Sequence, residues 1–119
     1  MLKSDTEGDA KEVEFLAAWK DAVNATGKIL YSVKAPSVAA ATDKNDLRPD
    51  FDAIEQYMRT TPGDHIFLIA VIQFFSYSGI EDICAELDIQ VPRLTDLGWS
   101  LNDEKKQILF RLINSYGGW

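Results

Sequence analysis

The chain has a single cysteine and a single histidine. One thiol, Cys84, cannot close an internal disulfide, and its neighbours Ile83 and Ala85 give it a small, apolar setting that fits a reducing compartment, so the expected location is the cytoplasm. One histidine and one cysteine cannot supply a zinc set or a haem attachment site. Glycine is scattered: apart from Gly117-Gly118, the seven glycines stand alone, so there is no Gly-rich loop to cradle a phosphate and no nucleotide cofactor is expected. Long apolar runs are also missing. The longest, Ile66 to Ile72, has seven residues, against the roughly 20 that cross a bilayer, and Met1 to Glu7 lacks the apolar core of a signal peptide. No repeat of 20 to 50 residues, no heptad run and no block of like charge appears.

What is present is ordinary globular stock. The 119 residues are 46% apolar and 26% charged, enough for one domain with one core. Residues 9–119 read as that domain, residues 1–8 as a polar, flexible tail. Nineteen acidic residues against twelve basic ones leave a net charge of −7, with neither half basic. Such a field disfavours nucleic acid and anionic membrane surfaces and steers a basic protein inward.

Hydrophobic spacing predicts an all-α fold. Phe15, Leu16, Trp19, Ala22, Val23, Ile29, Leu30 and Val33 recur every three or four residues, which predicts a long first helix, interrupted at Gly27 and stopping before Pro36. Residues 35–49 carry turn formers at both ends and read as a mobile connector. Pro49-Asp50 opens a short amphipathic helix through Phe51, Ile54, Tyr57 and Met58. Thr61-Pro62-Gly63-Asp64 resembles a helix start, and the almost wholly apolar stretch after it reads as the central helix, about residues 62–76. Ser78-Gly79-Ile80-Glu81 reads as a second capping box, the residues around Leu94 and Leu97 as a further turn or two, and Asn102-Asp103-Glu104 as the start of a last helix ending at Gly117. The expected architecture is a compact bundle of four to six helices.

Constellations for chemistry are thin. His65 could serve Cys84 or pair with Asp64, but no nucleophile motif accompanies it, and a histidine in a first helical turn ordinarily finds a hydrogen-bond partner. Asp43, Asn45, Asp46, Asp50 and Asp52 crowd oxygen donors into ten residues. On a calcium-loop template, however, Leu47, Arg48 and Ile54 occupy ligand and glycine positions, so turn and cap chemistry accounts for them and no metal is expected. Residues 80–98 have the spacing of a helix-turn-helix, with Cys84, Leu87, Ile89 and Leu94 as apolar positions. Five acids against one base over residues 80–99 speak against phosphate contact and for two short core helices at a tight corner.

The leading expectation is therefore a non-enzymatic, acidic protein-binding module, of the inhibitor, immunity-type or adaptor kind. Glu81, Asp82, Glu86 and Asp88 would form the acidic face. Trp99, Tyr116 and Trp119 lie at element ends and would be anchors on an exposed patch or a dimer seam, or else would fold back over the end of the bundle. Two rivals are a transcriptional regulator using residues 80–98 and a small enzyme or ligand-binding domain with a pocket near His65, Gln73 and Cys84.

Overall fold

Phe15, Ala18, Trp19, Ala22 and Val23 are buried, and they form the inward stripe of the first helix, α1 (Leu2–Thr26). The computed structural model describes residues 2–119, with side chains from Asp9 onward. The tail expected over residues 1–8 lies outside the described side chains.

The first correction falls at Gly27. The helix does not continue toward Pro36: Gly27 takes φ 116°, a conformation that favours glycine, while its N–H still donates to the Val23 carbonyl at 2.8 Å. Thr26 Oγ1 is bonded to the Ala22 carbonyl at 2.8 Å and lies 2.7 Å from Tyr31 Oη, tying the helix end to the chain beyond Gly27. Lys28–Leu30 is a 3₁₀ turn, and then two strands, β1 (Tyr31–Val33) and β2 (Leu47–Pro49), pair antiparallel with Ser32 opposite Arg48. The helical spacing of Ile29, Leu30 and Val33 therefore belongs to a turn and a strand: Leu30 is buried and Ile29 is exposed.

Residues 35–49, expected as connector, are largely structured. Val38 and Ala41 are buried, Asp43 Oδ1 accepts from Asn45 N at 2.7 Å to start the turn Lys44–Asp46, and β2 completes the stretch. Asp50 N donates to the Leu30 carbonyl and Lys34 N to the Asp46 carbonyl. In an antiparallel ladder alternate residues face the partner strand, so the Leu47 carbonyl turns away from β1. It is met by the buried Trp19 Nε1, which donates to it at 2.9 Å. One indole thus fastens the hairpin to α1.

Helix α2 (Phe51–Thr60) is capped by Asp50, whose side chain accepts from Ala53 N, as the sequence predicts. The next start differs. Thr61 closes α2, and the central helix, α3 (Ile66–Ile72), begins four residues later than its apparent signal, after His65 at φ 55°. Its residues Phe67 to Ile72 are all buried, and it touches α1, α4, α5 and α6. Helix α4 (Tyr77–Glu86) is capped by Ser76, two residues before the expected box. It ends in a Schellman motif: Asp88 takes φ 57°, Ile89 N donates to the Cys84 carbonyl at 2.8 Å and Asp88 N to the Ala85 carbonyl at 3.3 Å.

Helix α5 (Leu94–Ser100) comes only after residues 87–93, too long a link for the tight corner that the helix-turn-helix spacing suggested. Helix α6 (Asp103–Ser115), capped by Asn102, buries Ile108, Leu109 and Leu112 and is joined to α1 by Arg111 and Asp21, 2.6 Å apart. The described residues thus form a compact, mostly helical fold with six α-helices and one small sheet, which agrees with the all-α expectation.

Candidate interaction surface

Helix α5 is short, seven residues. Its start is held by Asp96 Oδ2, which accepts from Arg93 N at 2.9 Å and meets Arg93 Nε at 3.4 Å. The backbone N–H of Arg93, ahead of its guanidinium, keeps the Asp96 carboxyl below the usual range. Although α5 contains Leu94, Leu97 and Trp99, none of its residues is buried. Leu94 is 83% exposed and Trp99 89%. This corrects the expectation of two short core helices: α4 buries Ile80, Ile83 and Cys84, whereas α5 lies on the outside.

Helix α6 continues the same surface. Its inward stripe leaves Phe110 and Ile113, one turn apart, each 63% exposed, and Tyr116, which ends the helix, is 44% exposed. Between α5, α6 and the end of α3 lies an apolar groove of about 400 Å³, lined by Phe74, Leu94, Leu97, Leu109, Ile113 and Tyr116, with the amide of Gln73 among its few polar groups. Large apolar side chains scattered singly over a surface need no explanation. Here three of them, Leu94, Ile113 and Tyr116, gather around one groove.

Only some of the residues expected at a binding site meet here. Tyr116 lines the groove, and Trp99 projects from α5 outside the groove lining. Trp119 is the reverse of an exposed anchor: its ring packs at 4.9 Å from both Trp19 and Phe75 and its Nε1 donates to Asn45 Oδ1 at 2.8 Å. Lys44 sits over the Trp119 ring and donates to the Gly118 carbonyl at 2.7 Å. Trp119 thus folds back over the open end of the bundle. Glu81, Asp82, Glu86 and Asp88 are exposed on α4 and its end, and Glu86 lies 3.8 Å from Arg59. The carboxylate of Glu81 near the Tyr77 phenol holds that phenol above its ordinary value. None of the four acids lines the groove, so the acidic and apolar surfaces are separate.

Other candidates for chemistry come apart. His65 Nε2 is 2.8 Å from the Thr61 carbonyl and its ring meets Tyr57 edge-on. The hollow beside it, about 220 Å³, does not include Cys84 or Gln73. Cys84 is buried, and burial pushes its thiol up, away from the thiolate a nucleophile needs. The pocket expected near His65, Gln73 and Cys84 is therefore three separate places. The oxygen cluster at residues 43–52 is engaged in turns and caps: Asp43 accepts from Asn45 N, Asp46 from Thr42 N and Asp50 from Ala53 N. No group of three or more His, Cys, Asp or Glu among the described residues is placed to hold a metal ion. No helix among them is long and apolar enough to cross a membrane.

Leu94, an apolar position of the helix-turn-helix spacing, and Phe110 and Ile113 are surface residues that the sequence reading does not place at a binding site. Phe110 carries a signal, since it falls off the helical stripe of α6. Leu94 and Ile113 do not, because each sits at a core-like spacing.

Comparison with known protein families, with curated proteins and with solved structures gives no match.

Proposed function

We propose that this protein is a non-enzymatic protein-binding module that works through the α5–α6 face. The observation that carries the reading is a helix with no buried residue whose leucines, with Ile113 of α6 and Tyr116 at its end, border one apolar groove. Rigid aromatic and aliphatic side chains around a hollow are the usual anchors of a protein interface. The role is to mask or present a surface, as an inhibitor, immunity-type partner or adaptor does. The net charge of −7 sets the field in which a partner approaches, and the exposed acids of α4 favour a basic one there. The buried, unactivated Cys84 fits the reducing cytoplasm.

The test is capture of partners from source-cell lysate by wild-type protein and by a Leu94→Glu/Ile113→Glu double variant, each with and without nuclease. Both positions are exposed, so the variant keeps its fold, which circular dichroism checks. A protein held in near-stoichiometric amount by the wild type through nuclease treatment, and released by the variant, is the expected result. Equal capture by both, or recovery of nucleic acid alone, overturns the reading.

A further inference from the structure

We infer that the aromatic cage filled by Trp119 is a receptor for a tryptophan on a partner's segment, and that Gly117–Trp119 is a detachable strap that occupies it in the partner's absence. The cage lies apart from the α5–α6 groove, whose lining does not include Trp119.

What the cage recognises is read from its occupant. Phe15, Trp19 and Phe75 meet the Trp119 ring edge-on, with ring centres 5.9, 4.9 and 4.9 Å away. Lys44 Nζ stands 5.3 Å from the centre of the same ring. The Asn45 carboxamide oxygen accepts from Trp119 Nε1 at 2.8 Å, and Arg48 Nε donates to that oxygen at 3.0 Å, which fixes its orientation. Lys44 Nζ also donates to the Gly118 carbonyl at 2.7 Å. Aromatic walls with one acceptor for an indole N–H select tryptophan over phenylalanine, which has no donor for Asn45. The ring and one main-chain carbonyl are all that these contacts use, and any extended segment bearing a tryptophan carries both.

The strap is held by little else. Helix α6 ends at Ser115, and no backbone–backbone hydrogen bond among the described residues holds residues 117–119. Gly117 and Gly118 are exposed, and Gly118 at φ 96° gives the segment a hinge. Trp119 is only half-buried, whereas Trp19 beneath it is fully buried. Beside the ring lies a hollow of about 360 Å³, lined by Lys11, Glu12, Asp43, Lys44 and Asn45 among others. A tethered strap competes at high effective concentration, so an incoming segment must gain contacts beyond its own indole, and this hollow, with side chains of both charges, supplies them.

Hydrogen exchange of the indole N–H groups, followed by NMR on the wild-type protein, tests the strap. Trp119 Nε1–H is expected to exchange about 100-fold or more faster than Trp19 Nε1–H, at a rate that low urea leaves unchanged, as local opening does. Exchange of both at one rate, rising together with urea, overturns the inference. The peptide N-acetyl-Gly-Gly-Trp-amide tests the receptor. Trp119→Ala, checked for its fold by circular dichroism, is expected to bind it saturably and about 30-fold or more tighter than the wild type, in which Trp119 competes. Adding Asn45→Ala weakens that binding about fivefold, the worth of one hydrogen bond, and so does replacing the peptide's tryptophan by phenylalanine. No saturable binding by Trp119→Ala, equal binding by variant and wild type, or equal binding of the two peptides overturns the inference. A Trp119→Ala chain that does not fold overturns it as well, since a detachable strap is not needed for folding.

Discussion

Replacing Trp19 by phenylalanine isolates the indole hydrogen bond that fastens the hairpin. Trp19 is fully buried, stacks on Phe15, meets Tyr31 and Trp119 edge-on, and donates to the buried Leu47 carbonyl at 2.9 Å. Phenylalanine keeps most of the ring packing and removes the donor. A buried carbonyl left without its partner costs about 1–3 kcal/mol, and the lost apolar surface of the larger ring adds about 1 kcal/mol. The expected loss is therefore about 3 kcal/mol, which for a domain of this size lowers Tm by about 10–15 °C. Urea denaturation followed by far-UV circular dichroism measures it, with Trp99→Phe, at an exposed position, as a control that changes stability by less than about 0.5 kcal/mol. A loss below about 1 kcal/mol in Trp19→Phe would refute the argument that this indole alone satisfies the outward carbonyl of β2.

The backbone and the buried weak acids give three further predictions. Gly27→Ala costs about 1–2 kcal/mol although nothing lies within 4 Å of the added methyl group, because the cost is backbone strain at φ 116°; chemical denaturation reads it, and a neutral result contradicts it. Asp88→Gly raises stability by up to about 1 kcal/mol, since the exposed Asp88 holds the glycine position of the Schellman motif at φ 57°; the same assay checks the sign. Burial raises the proton affinity of Tyr31 above its ordinary 10.0, with the Thr26 hydrogen bond opposing, and that of Cys84 above 9.0. The folded chain then holds protons that the unfolded chain releases, so the contribution of these two groups to stability is full below pH 9 and is lost as the pH rises past these ordinary values. Tyr31→Phe should flatten the upper part of that fall, and folded Cys84 should react with thiol reagents far more slowly than the unfolded chain does.

The bundle was legible where capping chemistry and spacing agree. Asp50 and Asn102 cap the helices their positions predict, and the apolar run at Ile66 is the buried central helix. Two places misled for physical reasons. Helical spacing past Gly27 persisted only because a 3₁₀ turn and a short strand bury Leu30 at an interval that also suits a helix. Thr61-Pro62-Gly63-Asp64 has the composition of a cap, yet Gly63 at φ 130° and His65 at φ 55° carry the chain through a turn first. Both are decisions of backbone dihedral, which residue type biases but does not determine. The candidate surface was half legible. Trp99 and Tyr116 stood out as aromatics at element ends, while Trp119, chosen on the same ground, fills the aromatic core beside Phe15 and Phe75. Nothing in the spacing of Leu94 distinguishes a side chain facing the groove from one facing a core, because that depends on how little of α5 the rest of the fold covers.

The claim that the α5–α6 face is covered by protein in the cell is tested most directly by a photo-crosslinking residue placed in turn at Ile113 and at Ile29. Ile29 is also an exposed large apolar residue, 80% exposed, but stands outside the groove lining, which includes Ile113. The account predicts one discrete protein adduct from position 113 and none from position 29. Adducts of equal yield at both positions, or none at position 113, would contradict it.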